Sequence, residues 1–233
     1  MEKFSLFDFA SFILPGCTFL ILSYLILSFQ NIQFIPNEMP SIEVIIIPLL
    51  LVGYLFGHLL SLIGKKTEKW ITGMKTPWIT YLKNNSKEAE IINSKCISLF
   101  NAGFINENKE IDIAKSDKLY DTIYEYIEFK DKDEKIKILY SQYGFFRNSS
   151  AVWISLFSLL LVILILKLVG VTFIISTIIS IILYSIIVLL LSFASLLLCK
   201  KRKLLTMYYV YRTFLIMNLQ DKNEYPYEKK LPN

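Results

Sequence analysis

The chain has 233 residues, is 54% hydrophobic, and carries 25 basic and 20 acidic side chains for a formal net charge of +5. Its longest polar stretch, residues 65–147, holds fifteen basic and thirteen acidic residues. This near balance leaves no basic stripe of the kind that phosphate binding needs, so we expect no direct nucleic-acid partner. Three cysteines, odd in number and far apart at Cys17, Cys96 and Cys199, predict neither a disulfide framework nor a zinc site.

The first 64 residues read as a transmembrane hairpin. An apolar run predicts a first span at about 9–30, in which Pro15 and Gly16 predict a kink or a re-entry into the membrane interface. An acidic loop without Lys or Arg follows, and a second span at about 42–64 ends before Lys65 and Lys66. In antiparallel spans centred near Pro36, His58 is expected opposite Leu14.

Residues 65–150 are the one segment large enough to form a separate domain, and their pattern predicts helices. Asn85 with Glu88 resembles a capping box for a helix at 86–100, and Ser116 resembles the N-cap of a helix at 117–130. Asp133 opens a third helix that runs on into the third span. Isoleucines at 111 and 113 allow one short strand. We expect this small helical domain to be cytoplasmic and to lean on the membrane through Trp70 and Trp78.

Residues 151–199 form the second predicted hairpin. These forty-nine residues contain one charge, Lys167, and one glycine, Gly170. A hydrocarbon layer about 30 Å thick needs roughly 20 apolar residues per helix. The segment therefore predicts arms at 151–167 and 171–199 with the turn at Gly170. Residues 200–233 are predicted to continue as a helix from Leu204 to Leu219 that packs on the central domain, followed by a tail.

These elements predict an all-α integral membrane protein with four transmembrane helices, arranged as two hairpins that flank a small helical cytoplasmic domain. With four spans, every basic cluster (Lys3, Lys65–Lys75, Arg147 and Lys200–Lys203) falls on one side, and Lys167 alone falls on the other. The positive-inside rule then places both termini and residues 65–150 in the cytoplasm. Low Gly and Pro with many Ile, Lys and Asn is typical of an A/T-rich bacterial genome, so the expected location is a bacterial inner membrane.

The sequence predicts no catalysis and no catalytic, cofactor or metal residue. HExxH, P-loop and GxGxxG patterns are absent, and His58 is the only histidine. Two interpretations of His58 stay open. Its ring either hydrogen-bonds a backbone carbonyl or a serine inside the bundle, or it senses a proton or ligand, because ionisable groups inside membranes are functional candidates.

Polar residues at the membrane boundary form a second candidate site. Arg147 and Asn148 head the third span, and Asp8 is expected at the same depth. Arg147 either forms a buried ion pair with Asp8 or extends its charged end to the membrane surface as an ordinary positive-inside arginine.

The fourth span carries hydroxyl groups at intervals of four residues, at Ser176, Ser180 and Tyr184. This stripe either packs against neighbouring helices or lines an aqueous pore if subunits assemble. The basic cluster that follows is a stop-transfer flank that faces lipid and can bind anionic headgroups, at roughly 1 kcal/mol per basic residue. Its members are Lys200, Lys201, Arg202 and Lys203.

Four short phrases carry a resemblance to a known group: Phe7-Asp8-Phe9, Leu14-Pro15-Gly16, Gly57-His58 and Phe146-Arg147-Asn148. With the span layout, they are similar to small four-span bacterial membrane proteins of phage-defence loci. These are the accessory membrane proteins of type VI-B CRISPR systems and, second, the membrane subunit of Kiwa systems. The resemblance implies a non-enzymatic membrane partner of a cytoplasmic defence protein.

The first functional hypothesis is therefore a membrane effector or regulator of antiviral defence. It would be signalled through its cytoplasmic domain by a defence nuclease or sensor, and would permeabilise the membrane as a homo-oligomer. The alternatives are a small channel or transporter, and a membrane scaffold that recruits a cytoplasmic partner. The channel or transporter is disfavoured because no internal repeat or charged midplane site appears.

Overall fold

Helices make up nearly all of the chain that the structure describes. The computed structural model describes residues 9–30, 42–72, 82–106, 110–171 and 176–219, with the side chains of 42–45, 70–72 and 219 left out. A π-helical turn at Phe9–Ile13 leads into the first α-helix, and the helices in chain order are α1 at Leu14–Ser28, α2 at Ile42–Thr72, α3 at Ser86–Phe100, α4 at Ile113–Phe129, α5 at Glu134–Leu168 and α6 at Ile178–Leu219. The all-α prediction is confirmed.

Four helical segments are long and apolar enough to cross a membrane, as predicted. They are Phe9–Ser28, Ile46–Lys69, Glu134–Leu168 and Ile178–Asn218. Large apolar side chains cover their outer faces, among them Leu55 at 63% exposed and Leu190 at 64%. An apolar exterior of this kind suits hydrocarbon rather than water.

The chain groups into two compact units that do not coincide with the predicted ranges. Met1–Lys75 and Lys137–Lys203 form what we call the bundle unit, and Thr76–Ile136 with Leu204–Asn233 form the small helical unit. The difference arises because α5 and α6 each run without a break across a predicted boundary, at 150/151 and at 199/200. The predicted ranges 1–64, 65–150, 151–199 and 200–233, and the cytoplasmic place of 65–150, stay predictions.

Glycines allow α1 and α2 to approach closely inside the bundle unit. A Cβ on Gly16 would lie 1.8 Å from the carbonyl oxygen of Gly53, and one on Gly57 would lie 2.1 Å from that of Phe12. Gly53 and Gly57 form a small-xxx-small pair, a spacing that brings helix backbones together in membranes. The predicted irregularity at Pro15 takes the form of the π-helical turn that directly precedes α1.

Apolar residues of the four apolar segments meet in two buried clusters of the bundle unit. Leu60, Ala151, Val152 and Leu156 form one, with Phe19, Leu22 and Val188 packed against it. Ile163 and Ile181 form the other, with Ile26 and Val171 beside it. The core therefore joins residues from α1, α2, α5 and α6.

The turn between α5 and α6 begins where the sequence predicts. Gly170 has a positive φ of 88°. Its N–H donates to the carbonyl of Lys167 at 3.1 Å, and the N–H of Val171 donates to that of Leu166 at 3.1 Å. These two bonds define a Schellman motif, which requires the left-handed conformation that glycine adopts without strain. The second arm differs from the prediction, because its helix begins at Ile178 rather than Val171.

The small helical unit has a core built from α3, α4 and the end of α6. The ring of Phe214 lies 6.1 Å from that of Phe100 and 6.0 Å from that of Tyr126, and Tyr211 contacts Tyr120 at 5.8 Å between centroids. Phe214 is fully buried. The predicted packing of the Leu204–Leu219 helix on the central helices is confirmed.

Helix boundaries in this unit agree with the prediction at α3 and differ at α4. Helix α4 begins at Ile113, and its N-cap is Asp112, whose Oδ1 accepts from the N–H of Lys115 at 3.2 Å. Ser116 was the wrong choice because it lies inside the helix and donates to the carbonyl of Ile113. Asn85 stands at the N-cap of α3 but makes no capping bond through its side chain. Instead of a strand, an isolated antiparallel bridge joins Ile105 to Ile111.

Replacing Asp131 with glycine is expected to stabilise the small helical unit. Asp131 follows Lys130, the C-cap of α4, with a positive φ of 53°, and its N–H donates to the carbonyl of Glu128. Since this left-handed conformation strains any residue with a Cβ, Asp131→Gly should raise the free energy of unfolding by about 0.5–1 kcal/mol. Chemical denaturation measures the change. Asp131→Ala should have the opposite sign, and equal effects would contradict the explanation.

Cys96 is expected to resist thiol reagents in the folded protein. It is fully buried, and burial raises the pKa of its thiol to about 12. Because this value lies above that of the unfolded chain, the thiol's contribution to stability is present below pH 9 and lost as the pH rises towards 12. At pH 8 the thiolate fraction is about 10⁻⁴, so iodoacetamide should label Cys96 only after unfolding. Mass spectrometry with and without urea tests this, and equal labelling would contradict it.

Candidate functional site

A buried polar cluster at one end of the bundle unit centres on Glu68 of α2. Its two carboxylate oxygens accept from Lys203 Nζ of α6 at 2.7 Å and from the Tyr143 hydroxyl of α5 at 2.7 Å. The side chain of Glu68 is 8% exposed and that of Lys203 is 19%. Charge-assisted bonds in such surroundings are stronger than bonds between neutral groups. One carboxylate therefore joins three helices, and we call this cluster the Glu68 junction.

The ring of Tyr143 lies close to two cations of the same site. Lys203 Nζ lies 5.5 Å from its centroid, and the guanidinium carbon of Arg147 lies 5.3 Å from it. Arg147 follows Tyr143 by four residues, so the two side chains share one face of α5. Cation–π attraction adds about 0.5–2 kcal/mol per pair in partly desolvated sites. The ring thus links the Glu68 junction to the polar residues that head the third span.

Arg147 and Asn148 connect α5 to the two preceding apolar segments. Arg147 donates through Nη2 to Ser61 Oγ at 3.0 Å and through Nε to Asn148 Oδ1 at 3.3 Å. Asn148 Nδ2 donates to the carbonyl of Ser11, whose own hydroxyl donates to the carbonyl of Ser141 at 3.3 Å. The sequence predicts both Arg147 and Asn148 as site residues, and the structure joins them in one network.

Arg147 is 8% exposed, so the interpretation of an arginine that extends to the membrane surface is wrong. A Cβ added to Gly64 would lie only 2.8 Å from the carbonyl oxygen of Arg147, which shows how closely α2 packs against α5 there. Asp8 lies outside the described residues, and its pairing with Arg147 stays a prediction.

His58 contacts aromatic rings rather than polar groups. Its ring stacks on Phe12 with centroids 4.2 Å apart and an interplanar angle of 15°, and meets the edge of Tyr54 at 4.5 Å. The prediction that His58 lies opposite Leu14 is approximately right, because Phe12 precedes Leu14 by two residues. The expected hydrogen bond to a carbonyl or serine is not formed with any residue in the described ranges, and the side chain is exposed on the outside of the bundle unit.

The predicted hydroxyl stripe does not form one continuous helix face. Ser176 precedes α6, accepts from Gln30 Nε2, and donates its N–H to Gln30 Oε1 at 3.2 Å. Ser180 bonds to Thr177 at the start of α6, and Tyr184 is 57% exposed. The stripe was predicted on the assumption that α6 begins at Val171, and the later start removes Ser176 from the helix.

The basic cluster after the fourth span divides between two surroundings. Lys200 and Lys201 are exposed and Arg202 is half-buried. Lys203 turns inward to the Glu68 junction, so its prediction as a lipid-facing residue is wrong. A run of four adjacent basic residues on a helix cannot share one face, because successive residues are about 100° apart.

Three residues of the site, Glu68, Tyr143 and Gln30, were not predicted from the sequence. Glu68 had a visible signal, since it is the one acid among Lys65, Lys66 and Lys69 at the end of a span. The spacing of Gly53 and Gly57 was a second signal that went unused. Tyr143 and Gln30 had none, because their partners lie 75 and 146 residues away in sequence.

The described fold and site define an α-helical membrane protein in which the Glu68 junction joins three of the four apolar segments at one end. In the described residues, no three His, Cys, Asp or Glu side chains converge as metal ligands would. The chain matches no protein-family model, no curated protein and no solved structure.

Proposed function

We propose that this protein is a non-enzymatic membrane regulator or effector of a bacterial antiviral defence system. In this proposal it lies in the inner membrane with both termini and residues 65–150 in the cytoplasm. It acts as a homo-oligomer and responds to a cytoplasmic defence nuclease or sensor. The Glu68 junction is the observation that supports a switchable bundle most directly.

The Glu68 junction has the properties of a latch, by which we mean a contact that is either fully joined or separated and hydrated. Glu68 and Lys203 are mostly buried, and Glu68 accepts from both Lys203 and Tyr143. Separating them would leave charges in a poorly solvated place unless water enters, so the bundle should favour either the joined arrangement or a hydrated one. A site with two discrete arrangements is what a regulator needs and what a rigid scaffold lacks.

The position of Lys203 in the chain suggests how a signal would reach the latch. Lys203 is the last residue of the bundle unit, and Leu204 begins the part of α6 that belongs to the small helical unit. In the proposal, a partner that binds the small helical unit pulls or turns α6, withdraws Lys203 from Glu68, and lets ions pass between subunits. The basic ends of the spans support a cytoplasmic location for this end.

A membrane-potential dye in a bacterial host tests the proposal. The wild-type protein should depolarise cells only after phage challenge, and Lys203→Met, which removes the latch cation, should depolarise them without challenge. Lys200→Met is the matched control, because Lys200 is an exposed lysine three residues away and should behave as wild type. Absence of depolarisation with every variant, at normal expression, would overturn the effector proposal and leave the scaffold hypothesis.

A further inference from the structure

His58 is an ionisable ring placed where hydrocarbon surrounds the bundle unit. It lies six residues before Gly64, the last residue before the first lysines of α2, and therefore about 9 Å from it along the helix at 1.5 Å per residue. The ring is exposed and forms no hydrogen bond with a residue of the described ranges. A neutral imidazole has one donor and one acceptor, and leaving them unpaired in hydrocarbon is costly. Something beyond the described residues should therefore pair with it.

The face of α2 around His58 has the spacing of a helix–helix seam. The same face carries Leu51, Leu55, His58 and Leu62, which follow one another at intervals of four, three and four residues. The three leucines are 63%, 63% and 65% exposed. Alternating intervals of three and four keep residues on one side of a helix that packs along a parallel neighbour. A single polar residue in such a seam fixes which positions meet.

We propose that this face is where two copies of the chain meet, with His58 of one copy hydrogen-bonded to His58 of the other. All copies insert in the same orientation, so a twofold axis along the membrane normal brings equal positions of two α2 helices together. Neutral imidazole both donates and accepts, which makes the residue complementary to itself. Lipid chains offer neither a donor nor an acceptor at this depth.

The neighbours of His58 prepare the ring for such a contact. Phe12 stacks flat against one side of it and Tyr54 closes an edge. Phe12 is held near α2 because Gly57 has no Cβ to push its carbonyl away. A ring that is already fixed loses less conformational entropy when it binds. The aromatic pair thus orients His58 toward a partner without pairing its nitrogen atoms.

Disulfide crosslinking in membranes tests the seam. In a chain whose native cysteines are replaced by alanine, Leu55→Cys and Leu62→Cys should crosslink readily between copies. Leu190→Cys is the control, since Leu190 is 64% exposed but belongs to α6 rather than to the proposed seam on α2. Crosslinking at Leu190 that equals crosslinking at Leu55 and Leu62 would overturn the proposal. This result stands even if substitutions of His58 disturb folding.

Two variants of His58 test the hydrogen bond itself. His58→Phe keeps a ring for Phe12 to stack on but removes both polar groups, and it should weaken self-association about three- to thirtyfold, the range for interhelical polar contacts. His58→Asn keeps a donor and an acceptor and should retain most of it. Energy transfer between labelled copies in vesicles measures both. An unchanged His58→Phe, or a His58→Asn as weak as His58→Phe, would overturn the proposal.

This inference rests on the oligomeric part of the proposed function. The contact between copies at His58 and the effector role are nevertheless tested by different measurements, so each can be contradicted without the other. Crosslinking is measured without phage or a dye. A seam without depolarisation removes only the effector role, and depolarisation without the seam removes only this contact.

Discussion

Replacing Lys203 with methionine is expected to lower the free energy of unfolding of the bundle unit by about 3–5 kcal/mol, the usual cost of removing one partner of a buried ion pair. The methionine fills a similar volume, so the loss is electrostatic rather than steric. Glu68 is 8% exposed and would keep its bond from the Tyr143 hydroxyl but lose the cation that balances its charge. Unfolding in detergent micelles with added denaturant measures the change.

The double variant Glu68→Gln with Lys203→Met distinguishes two quantities. One is the net contribution of the ion pair to the free energy of unfolding, and the other is the cost of leaving one buried charge without its partner. Glutamine is neutral and still accepts from Tyr143, so no buried charge is left without a partner. Replacing a whole buried ion pair is often nearly neutral, so the double variant should lie within about 1–2 kcal/mol of the wild type. Lys201→Met, at an exposed lysine, should change stability by less than about 0.5 kcal/mol. A double variant as unstable as the single one would show that the pair is not what holds this site.

Four long helices were predictable because each signal lies within a few turns of chain. Apolar length gives the spans, one glycine in forty-nine residues gives the turn at Gly170, and the capping and periodic patterns give α3. Errors appear where a local signal had a rival. Ser116 and Asp112 both resemble N-caps, and the helix begins at the earlier of the two, with Asp112 as its N-cap.

The candidate site was only half predictable, for a related reason. Arg147 and Asn148 were found because charge and amide groups at the head of a span are costly and therefore conspicuous. Lys203 was interpreted as a flank residue and Glu68 was not singled out, since local sequence does not tell which way a charged side chain at a helix end turns. The direction in which each side chain turns depends on a partner 135 residues away, and the local pattern of one sequence does not identify that partner.

A second large effect is expected from one added carbon at Gly16. In a free helix, glycine to alanine is favourable by about 1 kcal/mol. Here the Cβ would lie 1.8 Å from the carbonyl oxygen of Gly53 and 2.8 Å from the backbone nitrogen of Gly57, so helices α1 and α2 must separate. Gly16→Ala should therefore destabilise the bundle unit by about 3 kcal/mol, at the upper end of the cost of overpacking. The same micelle unfolding assay measures it.

Ser23→Ala is the matched control on α1, because it also ends in alanine but adds no atom. The Ser23 hydroxyl is buried without a hydrogen-bond partner in the described structure, so its removal should be neutral or slightly stabilising. Opposite signs for these two alanines on one helix would show that close backbone contact, rather than helix propensity, limits this pair of spans. A stabilising Gly16→Ala would mean that α1 and α2 do not approach as described. It would also remove the support for the Phe12–His58 stack, since Phe12 sits near α2 only if the glycine contact holds.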